Sequence, residues 1–125
     1  MTPLDVFARQ QFLNLETFRK NGTPVRTPVW FTQEGDSIFV KTAVSTGKVK
    51  RIHNNPRVNL APCKMDGTLL GEWVPAEARE VTDEETLRRV DRLMDRKYGL
   101  MIKLFSLAKK AKSLQNTVFE IKAAG

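Results

Sequence analysis

One stretch of the chain brings hydroxyl groups, a helix start and a lysine together in a segment, residues 42–63, that contains no carboxylate. Thr42, Ser45 and Thr46 lie in a small, hydroxyl-rich loop, and Gly47 and Lys48 follow directly. Backbone N–H groups in the first turn of a helix, with hydroxyls before them and a lysine among them, bind anions such as phosphate. The stretch therefore predicts a phosphate site, with Lys48 as its main cation because it lies closest to the helix start.

The elements around this loop follow from residue type. Ile38–Val40 and Val58–Ala61 are rich in strand-forming residues and flank a short helix. Either Ser45 or Thr46 can cap that helix, and Asn54-Asn55-Pro56 can end it. The order strand, loop, helix, strand places the hydroxyl groups at the N-terminal end of the helix.

Lys50 and Arg51 extend the positive charge along the same helix. A run of basic residues is most often a solvated helix face. Here the charges coincide with a hydroxyl-rich loop that follows a strand, and this coincidence favours a bound phosphate over the solvated face.

A second stretch is a candidate for contact with a planar ring. Its proline belongs at a sheet edge or a bulge, because proline cannot donate to a strand ladder. Neighbouring main-chain amides and carbonyls can then face a heterocycle. The residues of this stretch are Val25, Arg26, Thr27, Pro28, Val29 and Trp30.

The remaining pattern predicts one mainly β domain spanning residues 1–125. Asn21-Gly22 predicts a hairpin, so that the first forty residues form an antiparallel meander with a return strand at Pro24–Thr32. A long strand is expected at Leu69–Val81, with Trp30 and Trp73 both on strands. Thr82–Glu85 predicts a capping-box start for a helix that Gly99 breaks. About six strands with inserted helices fit a small, mostly antiparallel barrel.

Composition narrows the class of protein. The chain has 125 residues, a net charge of +7 and one cysteine. It lacks a signal-peptide layout and any apolar run long enough for a membrane span, which predicts a soluble cytoplasmic protein without membrane contact. The positive charge raises nucleic acid as a partner, but it is concentrated in residues 41–64 and in Lys103, Lys109, Lys110 and Lys112. Two local patches also suit a small polyanionic ligand, and we favour that ligand over nucleic acid.

Side chains that could carry out catalysis or hold a metal are scarce. His53 is the only histidine and is interpreted as a surface residue. Cys63 is interpreted as a small residue on a strand. The sequence therefore predicts no catalytic side chain and no metal site.

Three segments together resemble the FMN-binding split-barrel superfamily, which contains pyridoxamine 5′-phosphate oxidase. They are RTPVWF at 26–31, TAVSTGKVKRIHNNPRVNLAPC at 42–63 and GEWVPAEAREV at 71–81. The similarity extends from about residue 13 to residue 121 and is greatest to oxidoreductases of this superfamily that use the deazaflavin coenzyme F420.

The resemblance implies a six-stranded split β-barrel that forms a homodimer, with two cofactors in grooves between the subunits. It implies that Val25–Trp30 lines the cofactor ring and that Thr42 and Lys48 bind the cofactor phosphate. The oxidase has an arginine just before this lysine, whereas this chain has Gly47 at that position, so the two motifs differ there. Lys50 or Arg51 is expected to supply the missing charge, and Arg51 recurs in the deazaflavin branch.

The expected function is hydride transfer between the cofactor and a small organic substrate that the sequence does not identify. Coenzyme F420 is favoured over FMN because its acidic tail suits the surplus of basic residues. One alternative is a non-catalytic protein that binds or carries a flavin or deazaflavin. Another is a basic module that binds nucleic acid.

Overall fold

Seven strands form one curled antiparallel sheet, and two helices pack on it. The computed structural model describes residues 3–108 and 115–124, with the backbone alone for residues 100–108. A 3-10 helix at Pro3–Phe7 precedes the sheet. The strands are β1 (Phe12–Phe18), β2 (Pro24–Val29), β3 (Thr32–Glu34), β4 (Ser37–Ala43), β5 (Arg57–Cys63), β6 (Val74–Val81) and β7 (Asn116–Ala123); the helices are α1 (Gly47–Asn54) and α2 (Glu84–Ala108).

The mainly β split-barrel fold is confirmed, with seven strands where six were expected. The strand order is β2-β1-β5-β6-β7-β4-β3. One face of the sheet carries the larger core, which α1 closes with Val49 and Ile52. On the other face α2 buries Val90, Met94 and Tyr98 against Phe39 and Val118. Each strand can serve both cores because successive side chains alternate between the two faces.

The predicted meander is wrong, because the return strand breaks at Trp30 into β2 and β3, which lie at opposite edges of the sheet. The backbone N–H of Phe31 donates to Tyr98 Oη at 3.0 Å, and the Tyr98 hydroxyl directs its one proton toward Gln11 O at 2.7 Å and Phe31 O at 2.9 Å. Both main-chain groups of Phe31 are thus satisfied by a side chain from α2 instead of a strand ladder. Pro28 does lie on an edge strand, as expected, since β2 pairs only with β1.

The predicted strand Leu69–Val81 is also too long, since β6 begins at Val74. The preceding residues fold back on β5: Lys64 N donates to Thr68 O at 2.9 Å, and Leu70 N donates to Pro62 O at 2.8 Å. These local bonds replace a strand ladder. Trp73 lies just before β6 and Trp30 just after β2, so neither tryptophan is on a strand.

The helix boundaries follow the sequence signals, except that Asp83 and not Thr82 caps α2. α1 ends at Asn54, where the Asn-Asn-Pro signal placed its end. α2 begins at Glu84, and Asp83 caps it by accepting a hydrogen bond from Thr86 N at 3.0 Å. The expected break at Gly99 is present as a non-helical residue with φ 18° and ψ −89°.

Candidate functional site

The N-terminal end of α1 lacks the side-chain cap that the sequence predicted. Thr46 lies at the N-cap position with extended backbone angles, yet its side chain makes no capping hydrogen bond. Thr46 Oγ1 instead donates to Ala43 O at 3.0 Å and lies 3.3 Å from Thr42 Oγ1. Ser45 is exposed. The hydroxyls of Thr42 and Thr46 thus meet beside a helix start whose first turn contains no acidic residue.

Arg51 folds back along α1 to the same end of the helix. Its Nε donates to Thr17 Oγ1 at 2.6 Å, and Thr17 is a buried residue of β1. A Cβ atom at residue 47 would lie 2.6 Å from Arg51 Nη1, so the guanidinium rests against Gly47. The structure therefore puts a guanidinium beside residue 47, although residue 47 itself is glycine.

Three cations, Lys48, Arg51 and Arg19, form two repelling pairs that share Arg51. Desolvation and then Arg51 lower the pKa of Lys48, while desolvation and then Arg19 lower the pKa of Arg51. Among residues 3–99 and 115–124, none of these three cations forms an ion pair within 4.0 Å. Like charges held together without a carboxylate favour the binding of an anion.

Lys50 occupies a different side of α1. It is exposed, whereas Lys48 and Arg51 are partly buried. Two residues correspond to about 200° around a helix, so Lys50 points away from Lys48, while Arg51 is about 60° from it. Lys50 and Arg51 are the two candidates for the charge missing at Gly47. The structure puts Arg51 beside that glycine.

Strand β2 is connected to this corner through Thr17, because Val25 lies opposite Thr17 in the β1–β2 register. Val25, Thr27 and Val29 are partly buried, whereas Arg26 and Pro28 are exposed. Among the strands that the structure describes, β2 pairs with β1 alone and forms one edge of the sheet. The main-chain groups on its outer side are thus open to a ligand or to another chain.

Two side chains of the ring-facing stretch are engaged within the protein. Arg26 Nε donates to Glu16 Oε2 at 2.7 Å, and its guanidinium carbon lies 4.9 Å from the ring centre of Trp73. The Trp30 indole stacks on Tyr98, with ring centres 4.7 Å apart and an interplanar angle of 11°. The charge of Arg26 is therefore balanced by Glu16, and one face of Trp30 is covered.

Thr17 and Arg19 are the site residues that the sequence reasoning missed. They precede the helix by about thirty residues, and no local pattern connects the two segments. One signal was available: Thr17 continues the buried face that begins with Leu13 and Leu15, and a hydroxyl on such a face needs a hydrogen-bond partner.

Two cations, Arg19 and Lys20, lie at the tip of the β1–β2 hairpin. Arg19 and Lys20 line a cavity of about 400 Å³ together with Phe18, Asn54 and Asn55. The basic residues predicted near the C-terminus do not enter this description. Lys109, Lys110 and Lys112 lie outside the described residues, as does the side chain of Lys103.

His53 and Cys63 occupy the environments expected of them. His53 is exposed, with its Nε2 atom 2.9 Å from Glu80 Oε1. Cys63 is buried on β5, and desolvation followed by the charge of Asp66 raises the pKa of its thiol. The thiolate is therefore disfavoured. In the portion of the chain that is described, no three His, Cys, Asp or Glu side chains cluster as metal ligands would.

The comparison with known families identifies the class of protein. A family model described as pyridoxamine 5′-phosphate oxidase matches residues 4–125, so the chain belongs to that family. The resemblance inferred from the three sequence segments is confirmed. No curated protein matches the chain in sequence.

Solved structures share the fold at low sequence identity. The haem storage protein HutZ from Vibrio cholerae has a TM-score of 0.72 and 19% identity, over 94% of this chain and 84% of that protein. A FAD-binding protein from Mesorhizobium loti has a TM-score of 0.62 and 16% identity, over 96% and 84% of the two chains. A protein described as an F420 reductase has a TM-score of 0.57 and 16% identity, over 98% and 93%. Proteins of this fold thus bind different cofactors.

No helix among the described residues is both long enough and apolar enough to cross a membrane.

Proposed function

We propose that this protein is an oxidoreductase that transfers a hydride between coenzyme F420 and a small organic substrate, with FMN as the alternative cofactor. The observation that carries the proposal is the pair of uncompensated cations, Lys48 and Arg51, at the start of α1. Family membership supports a flavin-type ligand, and this corner has the donor groups that its phosphate needs.

The phosphate would be held by charge and by hydroxyl groups. Lys48 and Arg51 supply the charge. The hydroxyls of Thr42 and Thr46 lie 3.3 Å apart, and each would turn from its present partner to donate to the phosphate, since Thr46 Oγ1 donates to Ala43 O. Ser45 and the backbone N–H of Gly47 are further donors next to them. We leave Lys50 out of the site because it is exposed on another side of α1.

The ring would lie along β2. An edge strand has unpaired main-chain groups on its outer side, and Pro28 removes one donor from that row. Val25, Thr27 and Val29 are partly buried, so their main-chain groups are held in place by packing. Arg26 has its charge balanced by Glu16, and we therefore assign it no phosphate contact.

The cofactor supplies the hydride chemistry when it is bound, and the protein binds and orients it. This division agrees with the state of His53, which is paired with Glu80, and of Cys63, whose thiolate is disfavoured. F420 is preferred to FMN because its acidic tail would meet additional cations. Arg19 and Lys20 are two such cations, and they lie beside Asn54 and Asn55 at the C-terminal end of α1.

We further propose that two copies of the chain form the complete site. The loop between β5 and β6 exposes Met65, Leu69 and Leu70, with 71%, 42% and 50% of their surface accessible. Gly67 O of this loop accepts a hydrogen bond from Asn14 Nδ2 at 3.2 Å, which holds the loop against β1. Large exposed apolar side chains grouped on one loop favour contact with another protein surface. Sedimentation velocity that gives a monomer at tens of micromolar would contradict this dimer.

Cofactor titration tests the proposal. Purified protein is titrated with F420 and with FMN, and ring fluorescence reports binding. We expect saturable binding of at least one cofactor, and reduction of members of a panel of quinones, enones and nitroarenes by the reduced form. No binding of either cofactor at tens of micromolar would refute the proposal.

Two lysine variants on one helix localise the phosphate. Lys48→Ala is expected to weaken cofactor binding by about 1.5–3 kcal/mol, the range for a hydrogen bond to a charged group, or about 10- to 150-fold in Kd. Lys50→Ala removes an equal charge from the same helix and is the matched control, expected to change Kd less than about threefold. Equal losses for the two variants would indicate general electrostatic attraction instead of a site at Lys48.

A non-catalytic flavin or deazaflavin carrier is the second candidate. It is favoured by Cys63, whose buried thiol has a raised pKa and is therefore a poor nucleophile. A protein described as a haem storage protein shares this fold. Tight binding of a cofactor without oxidation of its reduced form by any compound of the panel would favour this candidate.

A further inference from the structure

The Thr17 hydroxyl occupies an unusual position for a polar group. Thr17 is fully buried on β1, on the strand face that also buries Leu13 and Leu15. The only side-chain hydrogen bond that the described structure gives it is the 2.6 Å bond from Arg51 Nε. A buried hydroxyl stays satisfied only while its partner is present, so Thr17 and Arg51 depend on each other.

This bond determines which edge of the guanidinium is free. Nε is used inside the protein, and Nη1 lies against Gly47 at the first residue of α1. The terminal edge, formed by Nη1 and Nη2, is then the part of Arg51 that can meet a ligand. It lies beside the backbone N–H groups of the helix start, which are donors of the same kind.

Without this bond, the surrounding charges would move the guanidinium away. Arg19 lies close enough to lower the pKa of Arg51, and Arg51 lowers the pKa of Lys48. An arginine side chain is long and flexible, and repulsion from both sides favours rotamers that extend into solvent. The Thr17 bond opposes that repulsion.

We propose that Thr17 is a positioning residue for anion binding: its hydroxyl holds Arg51 against Gly47 so that the Nη1–Nη2 edge faces a phosphate at the start of α1. This inference rests on the proposed phosphate site and adds a residue that touches no ligand. The ligand class is a phosphate ester or inorganic phosphate.

Two substitutions at residue 17 separate the hydroxyl from the shape of the side chain. Thr17→Val keeps the shape and cannot accept the hydrogen bond, whereas Thr17→Ser keeps the hydroxyl. Isothermal titration of the full chain with inorganic phosphate and with FMN should give a Kd at least about fivefold weaker for Thr17→Val, the equivalent of losing one ordinary hydrogen bond. Thr17→Ser should remain within about twofold of the wild type.

A spectroscopic readout distinguishes positioning from a loss of packing. The Nε–H group of Arg51 should give a slowly exchanging 15N–1H signal in the wild type and in Thr17→Ser, and Thr17→Val should lose it. If Thr17→Val does not fold, Thr17→Ala replaces it in the same comparison with Thr17→Ser. A Thr17→Val protein that binds phosphate and FMN like the wild type would overturn the inference.

The outcomes separate this inference from the proposed function. If the wild type binds neither inorganic phosphate nor F420 nor FMN, the phosphate site fails and the positioning role fails with it, even if the Arg51 signal is present. If the wild type binds its ligand and Thr17→Val binds it equally well, the proposed function stands and the role of Thr17 is refuted.

Discussion

Replacing Gly47 by alanine should separate ligand binding from stability. The new Cβ would lie 2.6 Å from Arg51 Nη1, which is closer than real Cβ contacts allow, so one of the two groups must move. The group in contact is the far end of a flexible side chain and not backbone. We therefore expect the terminal edge of the Arg51 guanidinium to move off residue 47 while its Nε–Thr17 bond and the helix stay intact.

Gly47→Ala should change the free energy of unfolding and the affinity for the ligand in opposite directions. Alanine is favoured over glycine in helices by up to about 1 kcal/mol, so the free energy of unfolding should stay equal or rise slightly. The lost Arg51 contact should weaken phosphate or cofactor binding by about 1.5–3 kcal/mol, the range for a charge-assisted hydrogen bond. A general distortion of the fold would instead lower both quantities.

The assay measures both quantities on the same preparation. Urea unfolding gives the free energy of unfolding, and fluorescence titration with F420 or FMN gives Kd. Arg51→Ala and the double variant complete a double-mutant cycle. Since the methyl group is expected to act through Arg51, Gly47→Ala should have almost no effect on Kd in the Arg51→Ala background.

Two results would refute this reasoning. One is an unchanged Kd for Gly47→Ala in a wild-type background that binds cofactor. The other is the same loss of affinity with and without Arg51, because the methyl group would then act directly on the ligand or on the backbone.

Two further predictions concern the contact between α2 and the turn after β2. Desolvation lowers the pKa of Lys97 to about 8, and its Nζ lies 3.5 Å from the ring centre of Phe31. The folded protein then binds fewer protons than the unfolded chain between about pH 8 and pH 10.5, so this group makes stability rise with pH in that window. Lys97→Met should therefore raise the melting temperature at pH 7, by a few degrees, and the gain should fade by about pH 10.5; a constant gain across that range would contradict the cause. Tyr98→Phe leaves the buried N–H of Phe31 without its partner and should lower the free energy of unfolding by about 1–3 kcal/mol in urea, and an unchanged midpoint would show that this bond is replaced.

The sequence was sufficient for features that depend on near neighbours in the chain. The strand–loop–helix–strand unit from residue 38 to residue 62 was predicted correctly, because strand formers, a small polar loop and an Asn-Asn-Pro stop act locally. Val49 and Ile52, three residues apart and so on one face of α1, are both buried. The split-barrel class followed from three segments that also act as a family signature.

Pairing between distant segments was decided only by the tertiary structure. β3 pairs with β4 at the edge opposite β2, and the backbone of Phe31 between β2 and β3 binds Tyr98, 67 residues further along the chain. The sequence placed Arg26 among the residues that could contact a ligand, but in the fold Glu16 lies opposite it on β1 and forms an ion pair with it. A charge pattern gives the number and type of ionic groups, but whether each is balanced depends on which strands become neighbours.

The candidate phosphate site shows the same division. Residue type and spacing determined that hydroxyls and a lysine would meet at a helix start, since all of them lie within seven residues. They could not determine that Arg51 would turn back to Gly47, because its partner Thr17 is 34 residues away on β1. Local sequence selects the elements and the faces they bury, whereas the orientation of a long charged side chain depends on contacts that exist only once the sheet has formed.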